Sequence, residues 1–152
     1  MAPLVLDLAD EAATARLAAR VAGLVEVRDI IALRGPLGSG KSSFARAFIR
    51  ALGTGTEEVP SPTFTLVETY RFPGRPPVWH FDLYRLAAAE DVFELGIEDA
   101  WSEGIALIEW PELIAALLPA ERLDITLAPG ATPSARRATI DGPARWHERL
   151  DD

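Results

Sequence analysis

The sequence predicts a single α/β domain with a mixed central sheet flanked by helices. The chain has 152 residues, a length that suits one domain with a sizeable core. Short apolar runs typical of buried strands alternate with helical patterns. One such run, residues 30–33, leads through a glycine-rich loop into a helix with apolar residues at positions 44, 48, 51 and 52. This strand–loop–helix order is the basis of the fold prediction, and nothing within residues 1–152 indicates a second domain.

The loop between that strand and helix fits a phosphate-binding motif. Residues 35–42 match G-x-x-x-x-G-K-[ST], which predicts a P-loop NTPase domain. Its glycines let backbone N–H groups approach phosphate oxygens, and the following helix adds the positive end of its dipole. We expect Lys41 to reach the β- and γ-phosphates and the Ser42 hydroxyl to bind Mg²⁺. The predicted nucleotide-binding residues are Gly35, Leu37, Gly38, Ser39, Gly40, Lys41, Ser42 and Ser43.

Lys41 is also unusual in this composition. The chain has 15 basic residues, and Lys41 is the single lysine among them. A chain that uses arginine everywhere else therefore has lysine where a compact ammonium must fit among phosphates.

The remaining elements follow from local patterns. Residues 4–8 read as a strand, Asp10 as a helix N-cap, and Leu17, Val21 and Leu24 as the buried face of the first helix. Gly53 is a natural C-cap for the helix after the glycine-rich loop. Residues 61–70 begin as a loop and become a strand, 72–77 form a turn, and 78–84 form a second strand. These two strands predict an antiparallel hairpin.

The second half of the chain predicts shorter elements. Residues 89–101 form one or two short helices broken at Gly96, and residues 104–110 form an apolar strand that ends in a carboxylate. Another short helix starts at Pro111, and two strands follow at 122–127 and 136–140. Residues 141–152 read as a polar tail that is compatible with a helix.

Two carboxylates are candidates for organising Mg²⁺ and its waters beside the phosphate motif. Glu109 ends an apolar strand, as the acid of a Walker B strand does. Asp82 interrupts an apolar and aromatic strand, where an unpaired aspartate is costly. A structural pair with Arg85 or a turn cap is the alternative for Asp82. The predicted metal ligands are Ser42, Asp82 and Glu109.

The polar loop at residues 61–65 resembles a switch segment that senses γ-phosphate and Mg²⁺. Thr63 is the candidate sensor, and a plain turn threonine is the alternative. The predicted catalytic residues are therefore Lys41, Asp82, Glu109 and Thr63.

Five further residues have weaker signals. We expect His80 to lie in a strand with its ring nitrogens hydrogen-bonded, and His147 to lie at the surface. Trp110 follows Glu109 directly and is expected near the nucleotide. Arg136 and Arg137 could pair with carboxylates or approach the nucleotide, and the sequence leaves both options open.

Composition narrows the functional classes. The net charge of −8 disfavours direct binding of DNA or RNA, and there is no long apolar run for a membrane span. The absence of cysteine and of a signal-peptide pattern fits a cytoplasmic location. The chain contains no Asn, so it lacks the N-K-x-D element that reads guanine, which favours adenine. It also contains no Gln to position the attacking water as in Ras-like enzymes.

The order of motifs resembles the bacterial TsaE family. The motifs are G-P-L-G-S-G-K-S, S-P-T-F-T-L-V-E, H-F-D-L-Y-R-L, E-L-G-I-E-D and I-E-W-P-E. That family is the ATPase component of the machinery that makes threonylcarbamoyladenosine in tRNA. The resemblance implies that residues 38–42 bind ATP or ADP, that Ser42, Asp82 and Glu109 organise Mg²⁺, and that residues 61–65 are the switch segment. It also implies TsaB and TsaD as partners, with tRNA reached only through the complex.

Two positions depart from the family's usual pattern. Pro36 stands where the family mostly has Asp or Glu, which questions any role for that acid. Ser42 replaces the commoner Thr, and its hydroxyl should still bind Mg²⁺.

Two rival functions follow from the same motif. A small-molecule kinase needs a lid with phosphate-facing arginines, and the clustered candidates Arg71, Arg75 and Arg85 fall in the predicted hairpin. A nucleotide-sensing adaptor would bind ATP without hydrolysing it. We expect a weak ATPase stimulated by partners, because no second domain closes over the γ-phosphate and the proposed switch is a mobile loop.

Overall fold

The computed structural model describes residues 2–151 as one seven-stranded sheet packed on both faces by helices. The strands are β1 (Leu4–Leu8), β2 (Ile30–Arg34), β3 (Val67–Tyr70), β4 (Val78–Asp82), β5 (Ile105–Glu109), β6 (Leu123–Pro129) and β7 (Arg136–Asp141). The α-helices are α1 (Glu11–Ala22), α2 (Lys41–Leu52), α3 (Ile97–Glu103) and α4 (Ala144–Leu150), and 3-10 helices cover Ala89–Leu95 and Pro111–Leu117. The predicted α/β class with a mixed sheet is confirmed.

The strand order is β1-β7-β6-β2-β5-β4-β3. The four central strands β6, β2, β5 and β4 run parallel, whereas β3 at one edge and the β7–β1 pair at the other run antiparallel to their neighbours. All parallel strands in this order have their carboxyl ends at the same edge of the sheet. That edge is where ligands bind in open α/β sheets.

The central strands are buried on both faces, as their continuous apolar runs predict. Along β2, Ile31 and Leu33 face a core shared with α1, α2 and α4, while Ile30 faces a second core with α3 and the 3-10 helices. The sheet is therefore a fixed middle layer, and the loops at its carboxyl edge are positioned by two cores.

The two longest helices begin as the sequence indicates. Asp10 caps α1 by accepting a hydrogen bond from the Ala13 amide at 2.8 Å, and Leu17 and Val21 are buried. Leu24 lies beyond the end of α1 and is half-buried. Gly53 caps α2 as predicted. Within residues 2–151 no helix is long and apolar enough to cross a membrane.

The C-terminal segment differs from the predicted polar tail. Helix α4 places Trp146, fully buried, and Leu150 in the core. The guanidinium of Arg149 donates to buried Asp29 at 2.8 Å and also pairs with Glu26. Replacing a buried Trp by Ala costs about 3–5 kcal/mol, so α4 is an integral part of the domain. His147, predicted at the surface, is half-buried with its Nε2 atom shielded from solvent.

Candidate functional site

The main candidate site is a cavity of about 520 Å³ at the carboxyl edge of the sheet. It is lined by the loop between β2 and α2, by residues at and just after the ends of β4 and β5, and by the segment before β3. Glu11 of α1 and Arg136 of β7 also border it. Of the residues predicted to bind nucleotide, Leu37 and residues 38–43 line this cavity, whereas Gly35 does not line it and contributes a carbonyl that accepts from Lys41. The four predicted catalytic residues also line it.

The loop of residues 35–42, which we call the phosphate loop, has a conformation that requires glycine. Gly35 has a φ of +144°, and a Cβ atom there would come within 2.4 Å of the Leu127 carbonyl oxygen. Gly40 has a φ of +100° at the N-cap of α2 and has no side chain to satisfy the first amides of the helix. The first turn of α2 therefore opens toward the cavity with donors suited to an anion.

Lys41 lies in the floor of the cavity and is only 5% exposed. Its Nζ atom donates to the carbonyl oxygens of Gly35 at 2.5 Å and Pro36 at 3.1 Å. The Trp110 ring covers the ammonium, with 4.1 Å between Nζ and the ring centroid. Burial lowers the pKa of Lys41, and the nearby carboxylate of Glu109 opposes that shift. The ammonium is thus partly desolvated and ready to pair with an anion.

Glu109 is 2% exposed and joins two neighbours through its two oxygens. Oε1 accepts from the Ser42 hydroxyl at 3.2 Å, and Oε2 is 2.7 Å from His80 Nε2. His80 is itself 2% exposed, and its Nδ1 atom has no partner among the described residues. The expectation of a fully satisfied His80 ring is therefore wrong at Nδ1, and its partner at Nε2 is a candidate catalytic carboxylate.

Asp82 lies directly opposite Glu109 in the register of β4 and β5. Its Oδ1 accepts from the Tyr84 amide at 3.1 Å, and its Oδ2 accepts from the Thr63 hydroxyl at 3.3 Å. Among residues 2–151 no ion pair joins Asp82 to Arg85, whose guanidinium stacks over the Phe64 ring instead. Asp82 is thus a turn cap on one oxygen and a link to Thr63 on the other.

The segment of residues 61–65, which we call the switch segment, forms the outer wall of the cavity. The hydroxyls of Ser61 and Thr63 are 2.7 Å apart, and the Leu66 amide donates to the Pro62 carbonyl at 2.7 Å. Phe64, at its tip, is 83% exposed. The structure therefore anchors the base of the switch segment and leaves its tip in solvent.

The two arginines that the sequence left open have different positions. Arg136 reaches the phosphate loop and donates to the carbonyl oxygens of Ser39 at 2.7 Å and Gly38 at 3.1 Å. Arg137 points away and donates to Asp7 at 3.0 Å.

Sequence reasoning did not assign His80 or Arg136 to the site. The alternation of strand residues offered a signal for His80, because positions 80 and 82 share one face of β4. For Arg136 the sequence contains no such signal, because the contact depends on where β7 lies in the sheet.

The oxygen ligands around Ser42 fit a small hard cation. The hydroxyl of Ser42 and the carboxylates of Glu109 and Asp82 line the same cavity. Among the described residues no group of three or more His, Asp or Glu side chains could hold a metal ion alone. Two carboxylates and a hydroxyl suit Mg²⁺, which keeps several waters and takes further oxygens from substrate phosphates.

Comparison with known proteins places this site in a family. A sequence model described as "Threonylcarbamoyl adenosine biosynthesis protein TsaE" matches residues 8–138. The chain is 38% identical to the tRNA threonylcarbamoyladenosine biosynthesis protein TsaE of Rickettsia bellii, over 79% of this chain and 83% of that protein. It is 36% identical to the Bacillus subtilis protein of the same name, over 90% of this chain and 84% of that protein.

A solved structure agrees with these matches. The crystal structure of YdiB from Bacillus subtilis superposes with a TM-score of 0.78 at 27% identity, covering 99% of this chain and 94% of that one. The family match therefore extends across the sheet and across the loops that form the cavity. On the combined sequence and structural match, this chain belongs to the TsaE family of tRNA threonylcarbamoyladenosine biosynthesis proteins.

Proposed function

We propose that this chain is a P-loop ATPase that binds and hydrolyses ATP within the complex that installs the threonylcarbamoyl group on adenosine in tRNA. Its partners in that complex are TsaB and TsaD, and tRNA is reached through them, in the cytoplasm. The observation that carries the proposal is the 3.2 Å contact between Ser42 and Glu109 at the N-terminus of α2. It brings the end of the phosphate motif and a strand-end carboxylate into one cavity.

Phosphate binding rests on the phosphate loop and Lys41. The first amides of α2 and the loop amides supply donors for the phosphate oxygens. Lys41 would exchange its hydrogen bonds to the Gly35 and Pro36 carbonyls for bonds to phosphate. The buried ammonium would then be paired with a negative charge. Trp110 covers the same ammonium, so its ring would shift or stack on the bound nucleotide.

Ser42, Asp82 and Glu109 would hold Mg²⁺ with the phosphates of ATP. When bound, Mg²⁺ neutralises charge that develops on the phosphate oxygens during transfer. A role for Glu109 in orienting the attacking water is supported by its burial and by the contact of its Oε2 with His80. A positioned carboxylate that accepts the proton of that water as a general base contributes typically 10²–10⁴-fold to rate.

The switch segment supports a need for partners. Thr63 reaches Asp82 at 3.3 Å, whereas the neighbouring Phe64 is exposed. A γ-phosphate beside this wall would remain open to water, which screens the charges acting on the transition state. A partner that covers residues 61–65 would exclude that water and fix Thr63.

The kinase alternative has less support. Arg85 stacks on Phe64, and Arg71 and Arg75 lie at the turn between β3 and β4. None of the three lines a helical lid. Transfer of the γ-phosphate to water and not to a metabolite would separate an ATPase from a kinase.

The proposal is tested by phosphate release at fixed ATP, with TsaB–TsaD and tRNA added singly and together. We expect at least about a tenfold rise on adding TsaB–TsaD, a lower bound on the 10³–10⁵ by which inserted cations accelerate other P-loop enzymes. Lys41→Ala should abolish the rise, and tRNA alone should produce none. Full activity in the isolated chain, or stimulation by tRNA alone, would contradict the role of the partner.

A further inference from the structure

The guanidinium of Arg136 is surrounded by backbone carbonyl groups. Nε donates to Ser39 O at 2.7 Å and Nη2 donates to Gly38 O at 3.1 Å, both in the phosphate loop. Nη1 donates to the carbonyl oxygens of Pro133 and Ala135, each at 2.8 Å. All three nitrogen atoms are therefore engaged, and two of them are engaged with the loop.

These contacts join two distant parts of the chain. Arg136 begins β7, which is separated from β2 by β6 in the sheet, while the phosphate loop follows β2 directly. The aliphatic part of Arg136 also packs beside Gly40, where a Cβ atom would be 3.4 Å from Nε and 3.9 Å from Cδ. Arg136 thus lies beside the phosphate loop, and its guanidinium donates to the carbonyl groups of two consecutive peptide units.

The planarity of the peptide unit gives these contacts a consequence for the loop amides. In a trans peptide the carbonyl oxygen and the following N–H point in opposite directions. Holding the Ser39 carbonyl toward Arg136 therefore turns the Gly40 N–H away from Arg136. Within the loop, the Ser39 N–H donates to Pro36 O at 3.1 Å. The peptide unit between Gly38 and Ser39 is therefore held at both its carbonyl and its N–H, and the unit between Ser39 and Gly40 is held at its carbonyl.

We propose that Arg136 is a positioning residue for nucleotide binding: it holds the Gly38 and Ser39 carbonyls so that the phosphate loop keeps its anion-binding conformation without a ligand. The inference rests on the proposed function, because it assigns a residue to nucleotide binding. In this role Arg136 acts through the loop carbonyls, and its side chain also borders the cavity. A planar fork suits this task better than an ammonium, because it reaches two acceptors at a fixed spacing.

The next residue provides a matched control. Arg137 carries the same charge on the opposite face of β7, is 60% exposed and donates to Asp7. Arg136→Met and Arg137→Met remove the same charge and retain similar side-chain volume. They differ in whether the phosphate loop loses its contacts.

The test is calorimetric binding of ADP and ATP to the parent chain and to Arg136→Met, Arg136→Lys and Arg137→Met. We expect Arg136→Met to weaken both nucleotides by about tenfold or more, since two charge-assisted hydrogen bonds that hold the loop are lost. Arg136→Lys should recover part of the affinity, because one ammonium reaches only part of the acceptor set. Arg137→Met should bind within about twofold of the parent.

Amide hydrogen exchange of the nucleotide-free chains provides a second readout. Exchange at residues 38–41 should quicken in Arg136→Met and remain unchanged in Arg137→Met. If Arg136→Met does not fold, Arg136→Lys carries both measurements, with several-fold weaker binding and faster loop exchange expected.

Parent-like affinity and parent-like loop exchange in the Arg136 variants would overturn the inference, as would equal losses at Arg137. A parent chain that binds neither nucleotide would overturn the proposed function instead. In that case the hydrogen-exchange data would still test whether Arg136 holds the phosphate loop, because they are measured without a ligand.

Discussion

The two walls of the cavity are built in opposite ways. The phosphate loop on one side is fixed by Arg136, by the Lys41 bonds to its carbonyls and by the core beneath α2. The switch segment on the other side is linked to the sheet by two hydroxyls, from Thr63 to Asp82 and from Thr65 to Glu68, and has an exposed phenylalanine at its tip. One wall is complete within this chain, and the other presents apolar surface to solvent.

The difference separates binding from turnover. Groups that would hold a nucleotide have their positions set by the chain alone, so affinity should depend little on a partner. Groups that would act on the γ-phosphate face an open wall, so turnover should depend strongly on what covers it. Substitutions in the two walls should therefore change different measurements.

The largest effect is expected at the junction of the two walls. Glu109→Gln is nearly isosteric and removes the charge that would orient water and metal. Hydrolysis by the complex with TsaB–TsaD should fall by roughly 10²-fold or more, while ATP affinity should survive. Glu112→Gln is the control. The Glu112 side chain is 45% exposed, and its ion pair with Arg34 is a weak one, with 4.0 Å between its Oε2 and Arg34 Nη1. Parent-like hydrolysis in Glu109→Gln would remove the catalytic role.

The next largest effect concerns the fixed wall. Lys41→Ala deletes the ammonium beneath Trp110 and should weaken ADP and ATP by about 10- to 100-fold, the loss of a charge-assisted contact. Calorimetry with both nucleotides, and with GTP for comparison, measures it. Unchanged affinity, or tighter binding of GTP than of ATP by the parent chain, would contradict the nucleotide assignment.

A smaller effect is expected in the open wall. Thr63→Val removes the hydroxyl that donates to Asp82 and should lower partner-stimulated hydrolysis by about tenfold, with ADP affinity unchanged. Thr65→Val is the matched control, because its hydroxyl donates to Glu68 at 3.1 Å outside the cavity. Equal losses in the two variants would show that the segment responds to any change and that Thr63 has no special role.

The smallest effect is expected at the turn that joins the two walls. Glu57 accepts hydrogen bonds from the Thr54 and Gly55 amides, and these lower its pKa from about 4.5 to about 2. Because the folded-state pKa is depressed, this stabilisation is present above about pH 4.5 and is lost as the pH falls toward 2.

Glu57→Gln should therefore lower the thermal midpoint by a few degrees at most at pH 6, and the difference from the parent should shrink at pH 3. Thermal unfolding at both values measures it. A difference that grows at low pH would contradict the assignment.

The sequence predicted the parts of the cavity that depend on local patterns better than those that depend on strand order. The phosphate motif is local, so eight consecutive residues were enough to indicate the loop, and the apolar run before Glu109 indicated its strand. The contacts of His80 and Arg136 depend on which strands become neighbours in the sheet, and no local pattern contains that information. Helix α4 was interpreted as a polar tail because charged residues dominate the composition around Trp146 and Leu150, although Trp146 itself was expected to be core or partly buried.

The pairing of β1 with β7 has a consequence for the newly made chain. Leu8 at the end of β1 is opposite Arg136 at the start of β7, so β1 is synthesised well before the strand with which it pairs. At about 5–20 residues per second, the interval between completing α2 and adding Arg136 is on the order of ten seconds. During that time a nascent chain carries its phosphate motif without the arginine that holds it. If Arg136 holds the loop as proposed, the nascent chain should bind nucleotide more weakly until β7 has been made and has joined the sheet.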